Sequence, residues 1–346
     1  MNSPAARSHH RIKQIIIAII ILIIGVLLWR YSFSSDTVTD SPLWDESSGI
    51  RTLSGYAFTN PLLECENNGS FAKQKYLPFE KEIIARIEKE IIEKNPDTHL
   101  SVYFRNLNNG PWFGIAEDEA FLPASLMKVT LMMNYLKWWD EDKSILSREV
   151  EIPKEWEVIN QLIPPKNSLI PGNTYTISEM LYNLIVYSDN MAARWLLATL
   201  PYDRQMQLFR DLSIPLPEWS ADYSITVKEY ASFFRMLYNA SYLSQEASEA
   251  WLNLLSQSVF RDGIVAWVPS DIHIAHKFWE REFSDENGVT KNQFHDCGII
   301  YHPTYPYLLC IMTRTETEDI NTLSHIISES SKIIFEEINA LYPYKK

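Results

Sequence analysis

Ser125 and Lys128 stand three residues apart in Pro123-Ala124-Ser125-Leu126-Met127-Lys128, at the head of a strongly apolar run. Proline just ahead of such a run marks a helix start and places Ser125 at or inside the first helical turn, where backbone N–H groups have no intrahelical acceptor. At a spacing of three, the serine and the lysine share one helix face. Burial or a neighbouring cation lowers a lysine's pKa, and the free amine can then take the serine's proton and make its oxygen a nucleophile. Alone, the quartet reads as an ordinary helix start bearing a solvated lysine.

Two further stretches have the right chemistry. In Tyr187-Ser188-Asp189-Asn190, a hydroxyl and an amide two residues apart lie in a turn between helical patterns. They can face one cleft, the hydroxyl relaying a proton and the amide hydrogen-bonding an acylamide. The plain alternative is that Ser188 or Asp189 caps the next helix. In His276-Lys277-Phe278, a lysine interrupts an apolar strand. It is either an edge residue facing water or a cation that attracts a substrate carboxylate and depresses the pKa of Lys128.

These groups need a frame. An amphipathic helix is expected over 79–95, stopped by Asn95-Pro96, and two strands over 99–107 and 111–117 around the hairpin signal Asn108-Asn109-Gly110. Helical patterns follow at 125–140, at 176–187 (with Thr176 and Glu179 as a capping box), and at 191–200, 226–239 and 244–258. Strands return at 272–278, 297–302 and 307–313, and a helix over about 318–341 ends the chain. The order predicts an α+β domain: a five-stranded antiparallel sheet built from both chain ends, with a mostly helical insertion between them. The site would lie where insertion and sheet meet.

Ser-x-x-Lys at 125–128, Ser-Asp-Asn at 188–190 and a lysine strand at 277, in that order, resemble the class A β-lactamases and related penicillin-binding proteins over roughly residues 79–341. The resemblance implies a β-lactamase/transpeptidase-like fold and acylation of Ser125, with Lys128 as base or relay and Ser188 returning a proton to the leaving nitrogen. Asn190 would hold the substrate side-chain amide and Lys277 its carboxylate. The oxyanion hole would be the backbone N–H groups of Ser125 and Glu280. Implied partners are a β-lactam or a D-Ala-D-Ala peptide. The corresponding activities are β-lactam hydrolysis, a D-alanyl-D-alanine carboxypeptidase or transpeptidase reaction on peptidoglycan, or a catalytically impaired wall-binding module.

Two departures from that pattern stand out. Phe278-Trp279 replaces the family's Thr-Gly, removing a hydroxyl and threatening to crowd the cleft with an indole. The stretch from Pro201 to Thr226 looks short and lacks Glu-x-x-x-Asn, leaving Glu218 as the acid best placed to activate a deacylating water.

Other features set boundaries. His276 and His295 have no acidic partner fixed by spacing, so no Ser-His-Asp triad is expected and both read as packing or surface residues. The tryptophans read as core. Cys65, Cys297 and Cys310 lack metal-ligand spacing, no nucleotide motif occurs, and no metal or cofactor is expected. Cys297 and Cys310 would face each other across a hairpin, where two buried thiols are favoured over a disulfide. A formal charge of −13 without a basic cluster in the folded part argues against nucleic acid as a partner.

The apolar run Ile15 to Trp29 follows Arg7, Arg11 and Lys13 and has no small-x-small cleavage pattern close behind it. Residues 14–30 are therefore expected as a retained single-pass signal anchor in the cell membrane, 1–13 as a cytoplasmic tail, 31–78 as an extracytoplasmic linker and 79–346 as the hydrolase domain outside.

Overall fold

β-branched and aromatic residues recur in the strands near the two ends of the domain, and one strand from each end pairs with the other along its whole length. The computed structural model describes residues 56–61, 77–214, 223–284 and 290–344. The expected tail and anchor, the rest of the expected linker, Cys65 and Glu218 lie outside the described residues, among which no helix is long and apolar enough to cross a membrane. All of the described residues fall in one unit, 47–346.

Strands β1 (Thr98–Asn106), β2 (Trp112–Ile115), β7 (Ile274–Ser284), β8 (Thr290–Ile300) and β9 (Tyr307–Thr315) form an antiparallel sheet in the order β2-β1-β9-β8-β7. The two chain ends meet at β1 and β9, in register from Thr98 opposite Thr315 to Asn106 opposite Tyr307. Short two-stranded pairs join β3 (Ala120–Phe121) to β6 (Ile225–Thr226) and β4 (Glu149–Glu151) to β5 (Thr174–Thr176). The helices are α1 (Glu80–Ile87, extended by one π-helical turn, Glu88–Ile92), α2 (Met127–Glu141), α3 (Ile177–Val186), α4 (Asn190–Thr199), α5 (Tyr202–Asp211), α6 (Val227–Asn239), α7 (Gln245–Ser256) and α8 (Ile320–Leu341).

Both faces of the sheet are covered, so its central strand is apolar from Tyr307 to Met312 rather than alternating. On β9, Leu308, Cys310 and Met312 face the helical insertion, while Tyr307, Leu309 and Ile311 face α1 and α8. The expected α+β architecture is the one observed. The capping box of Thr176 and Glu179 opens α3, and a second, Thr226 with Glu229, opens α6. Residues 56–61, within the stretch expected as linker, are bonded to the domain: Glu249 accepts the backbone N–H groups of Ala57, Phe58 and Thr59, and Tyr301 donates to the Phe58 carbonyl.

Three details differ from expectation. β7 and β8 run well beyond 278 and 297, because polar residues such as Glu282 and Asn292 alternate along the hairpin arms and mask the strands. Cys297 and Cys310 stand opposite each other in register, as expected, but are joined as a cross-strand disulfide instead of remaining separate thiols. His276 does have an acidic partner: its Nδ1–H donates to Asp296 Oδ1 at 2.9 Å, both side chains being buried. That pairing arises from strand register, so spacing along the chain could not reveal it.

The His276–Asp296 pair locks a turn onto the sheet. Asp296 Oδ2 accepts the Ile264 N–H at 3.0 Å, and the Ile264 carbonyl accepts the Ser331 hydroxyl of α8. Gly263, at φ +66°, has no room for a side chain, since a Cβ there would lie 2.5 Å from Asp296 Oδ2. Asp296→Ala strands a buried N–H and a buried imidazole, so we expect a loss of about 2–4 kcal/mol, read as a lower denaturation midpoint with unchanged slope.

Candidate active site

Ser125 sits in a 3-10 turn, Ala124–Leu126, that runs directly into α2, one step earlier than the helical turn expected for it. The turn is fixed on several sides. The Pro123 carbonyl accepts the Leu126 N–H at 2.8 Å, the β3–β6 bridge pins the chain just upstream, and the Tyr230 hydroxyl of α6 donates to the Leu126 carbonyl at 3.0 Å. A fully buried tyrosine hydroxyl needs a partner, and this one takes the carbonyl next to Ser125. Met127 to Leu136 are all buried, so α2 passes through the core and carries Lys128 with it, 4% exposed.

Buried ammonium groups persist only where acceptors surround them. Lys128 Nζ donates to the Ser188 carbonyl at 2.6 Å, to Asn190 Oδ1 at 2.6 Å and to Ser188 Oγ at 3.2 Å. From β7, Lys277 Nζ donates to the same Ser188 Oγ at 2.8 Å and to the Phe278 carbonyl at 2.9 Å, and it lies 4.3 Å from the centre of the Phe278 ring. Three stretches far apart in sequence thus converge on one hydroxyl. Ser125 is half-buried, and β7 runs alongside its turn. Among the described residues, no hydrogen bond links its Oγ to Lys128.

Ser188 reaches this position through a left-handed backbone, φ +57°, which costs a non-glycine residue about 1–2 kcal/mol. Asp189 offsets that cost. Its carboxylate caps α4 through the Met191 and Ala192 N–H groups and also accepts from Ser168 Oγ and the Leu169 N–H. The capping reading of this stretch is observed for Asp189, while Ser188 and Asn190 turn to Lys128.

The 152–173 loop supplies a residue that sequence reasoning missed. Gln161 clamps the turn, its Nε2 donating to the Ser188 carbonyl at 3.0 Å and its Oε1 accepting the Asn190 N–H at 2.8 Å. Nothing in the sequence marks a lone glutamine in a proline-rich loop for that task; Tyr230 likewise reads as one more apolar helix residue.

The Phe278-Trp279 departure resolves into packing on opposite faces. Phe278 stacks on Phe260 with ring centres 3.9 Å apart, on the side of α1 and α8. Trp279 is 3% exposed and packs against His295, ring centres 4.7 Å apart, in the core beneath the insertion. Burial pushes the His295 imidazole down to about 3, so it is a neutral packing partner at physiological pH. Burial pushes the half-buried Glu280 carboxyl above the usual carboxylate range, against the pull of Lys277 and Lys128.

Electrostatics separate the two lysines. Burial, and then the positive charge of Lys277, push the Lys128 amine well below the ordinary lysine range, while Glu280 and Asp189 pull the other way. Burial pushes Lys277 down to about 8 against the pull of Glu280 and Asp296, so it keeps its proton at neutral pH. Among the described residues, no group of three or more His, Cys, Asp or Glu could hold a metal ion.

The profile of the β-lactamase enzyme family matches residues 81–338, most of the chain and all of the elements that build this site. The chain belongs to that family. Solved structures share its fold. A β-lactamase from Sphaerobacter thermophilus aligns at 17% identity over 78% of this chain and 100% of its own, with a TM-score of 0.63. A class A β-lactamase from Mycobacterium abscessus aligns at 19% identity over 75% and 98%, with a TM-score of 0.60. A variant of PBP-A, captured as an acyl-enzyme complex with penicillin G, aligns at 19% identity over 75% and 97%, with a TM-score of 0.61. No curated protein matches the sequence.

In this β-lactamase family chain, the charge on Lys277 opposes protonation of Lys128. Lys277→Met removes that charge, so the Lys128 pKa rises. We expect its titration midpoint, followed by carbon-13 NMR of the lysine side chains and assigned with Lys128→Arg, to move up. A midpoint that stays put would mean that burial alone sets it.

Proposed function

We propose that this chain is a serine hydrolase that opens β-lactam amides through an acyl-enzyme on Ser125. The observation that supports this best is the position of Lys128, buried between Ser188 and Asn190 with a second lysine on the same hydroxyl. A neutral Lys128 spends its two N–H groups on the Ser188 carbonyl and Asn190 Oδ1, which leaves a lone pair free to receive a proton.

The steps follow from that protonation state. Ser125 Oγ attacks the lactam carbonyl carbon and its proton passes to Lys128 Nζ. The carbonyl oxygen, now negative, is met by the backbone N–H groups of Ser125 and Glu280, a type of contact worth about 100- to 1,000-fold in rate per donor. When the C–N bond breaks, the ring nitrogen takes the Ser188 hydroxyl proton, and Ser188 is reprotonated by Lys128. Asn190 hydrogen-bonds the substrate's side-chain amide. Water then hydrolyses the ester, with Glu218, outside the described residues, the acid assigned to activate it.

One observation favours a second reading, a D-alanyl-D-alanine carboxypeptidase or transpeptidase that holds β-lactams as long-lived adducts. The connection between α5 and β6 is short and lacks Glu-x-x-x-Asn, and a mutant form of PBP-A, of like fold, has been captured with penicillin G attached. In either reading the apolar run at 14–30 tethers the chain to the cell membrane with the hydrolase domain outside, where cell-wall peptides and β-lactams are met.

Mass spectrometry of the penicillin-treated domain tests both. We expect one penicillin equivalent on Ser125 and none in Ser125→Ala. Decay of the adduct with continued turnover supports the lactamase and a persistent adduct supports the peptidase, while an unmodified protein at every concentration leaves only the impaired, wall-binding alternative. Lys128→Met should slow acylation by about 100- to 10,000-fold. Because the free amine is the active form, the acid limb of the wild-type acylation rate should lie well below the ordinary lysine pKa, and activity should fall as pH drops through it.

A further inference from the structure

Lys128 has two short acceptors, the Ser188 carbonyl and Asn190 Oδ1, each at 2.6 Å. One side chain from outside the turn bonds the backbone of both residues. Gln161 Nε2 donates to the Ser188 carbonyl at 3.0 Å and Gln161 Oε1 accepts the Asn190 N–H at 2.8 Å, so a single amide bridges the peptide groups on either side of Asp189. Only this orientation of the amide suits both partners, since a carbonyl needs a donor and an N–H an acceptor. With Lys128 and Gln161 together, the Ser188 carbonyl has a donor for each of its lone pairs. The Asn190 N–H is an N-terminal donor of α4, where the Asp189 side chain takes the next two N–H groups, and Gln161 supplies its acceptor. The loop that brings Gln161 is itself braced. Its base is closed by the Ile152 N–H on the Asn173 carbonyl and the Gly172 N–H on the Ile152 carbonyl, and its returning arm bonds Asp189 through Ser168 and Leu169.

We propose that Gln161 is a positioning residue for acyl transfer, fixing the two acceptors that orient the Lys128 amine and so setting how fast that amine can take the Ser125 proton. The reaction is that of the acyl-enzyme reading, on which this proposal rests; the placement is that of the hydrogen bonds. Without the bridge, the left-handed Ser188 loses a restraint and its carbonyl is free to turn, carrying the amine with it. A displacement of about 1 Å at a reacting group can cost about 100-fold in rate. Gln161 Nε2 and Lys128 Nζ bond the same carbonyl oxygen, at 3.0 and 2.6 Å, hence lie within about 6 Å of each other, where charges interact strongly in a partly buried site. A carboxylate in place of the amide therefore adds an anion to the charges that act on Lys128, which are Lys277 and Glu280 of β7 and Asp189 of the turn, and favours its protonated form.

Two substitutions separate position from charge. Gln161→Met removes both bonds and adds no charge, while Gln161→Glu keeps an acceptor for the Asn190 N–H, loses the donor to Ser188 and brings the anion. Acylation by penicillin G is followed by mass spectrometry. We expect Gln161→Met to lower the limiting acylation rate by about tenfold or more, with the half-saturating penicillin concentration moving less. Gln161→Glu should carry the acid limb of acylation to higher pH than Gln161→Met does, a displacement that a merely structural role would not produce. Thermal melting of each variant checks the fold, and where Gln161→Met does not fold, Gln161→Glu supplies both readouts.

A second arm needs no reaction: the Lys128 titration midpoint, read by carbon-13 NMR on Ser125→Ala with and without Gln161→Glu, should rise with the substitution. A folded Gln161→Met that acylates at the wild-type rate, or a midpoint that does not move, overturns the proposal and leaves the acyl-enzyme reading in place if the wild type is acylated. If the midpoint rises while no chain is acylated, the hold of Gln161 on the lysine stands and the acyl-enzyme reading fails.

Discussion

Two buried lysines share one serine hydroxyl, and the rest of the site is arranged around the cost of that meeting. Their Nζ atoms lie 3.2 and 2.8 Å from Ser188 Oγ, hence within about 6 Å of each other, where two full charges repel by about 3 kcal/mol at an effective dielectric near 20. Burial adds to the penalty for each. The pair relieves it by dividing labour: Lys277, with carboxylates in reach, keeps its proton up to about 8, while Lys128, surrounded mainly by neutral acceptors, is driven toward the free amine. Placement alone thus drives two identical side chains toward different protonation states.

Holding that pair demands a rigid frame, which explains several otherwise unrelated features. α2 is buried on nearly every side, so Lys128 cannot swing out to water. Ser188 adopts a left-handed backbone that only the Asp189 cap, the Gln161 clamp and the Ser168 contact make tenable. Lys277 comes from a strand whose register is set along its full length by β8. The sheet itself is closed by pairing the two chain ends, so the strand that delivers Lys277 forms only after the insertion bearing Ser125 and Ser188 has been synthesised. Local strain at one turn is thus paid for by long-range order elsewhere.

Much of this was legible before any coordinates. Residue type and order singled out Lys128, Ser188, Asn190 and Lys277, which the structure brings together, because a lysine in an apolar helix and another in an apolar strand both demand partners. The five-stranded sheet was equally legible, since hydrophobic periodicity switches at the points where strands give way to helices. What escaped was decided by register or by loop path. Asp296 meets His276 because β7 and β8 align as they do; the cysteine pair depended on the same kind of fact. Gln161 and Ile163 reach the site through a loop whose course has no periodic signature, and Tyr230 shows its role only once its hydroxyl is seen beside Leu126.

The Phe278-Trp279-Glu280 segment shows how a strand can keep a motif's lysine while changing everything around it. Filling positions 278 and 279 with rings moves their side chains into the two cores, so the strand gains packing on both faces and gives up polar contact with a ligand. Such a change would leave the Lys277 cation buried with fewer counter-groups, a cost of several kcal/mol for an unpaired ion. Hydrogen bonds to Ser188 Oγ and the Phe278 carbonyl, with the more distant charges of Glu280 and Asp296, offset part of that cost within the chain itself.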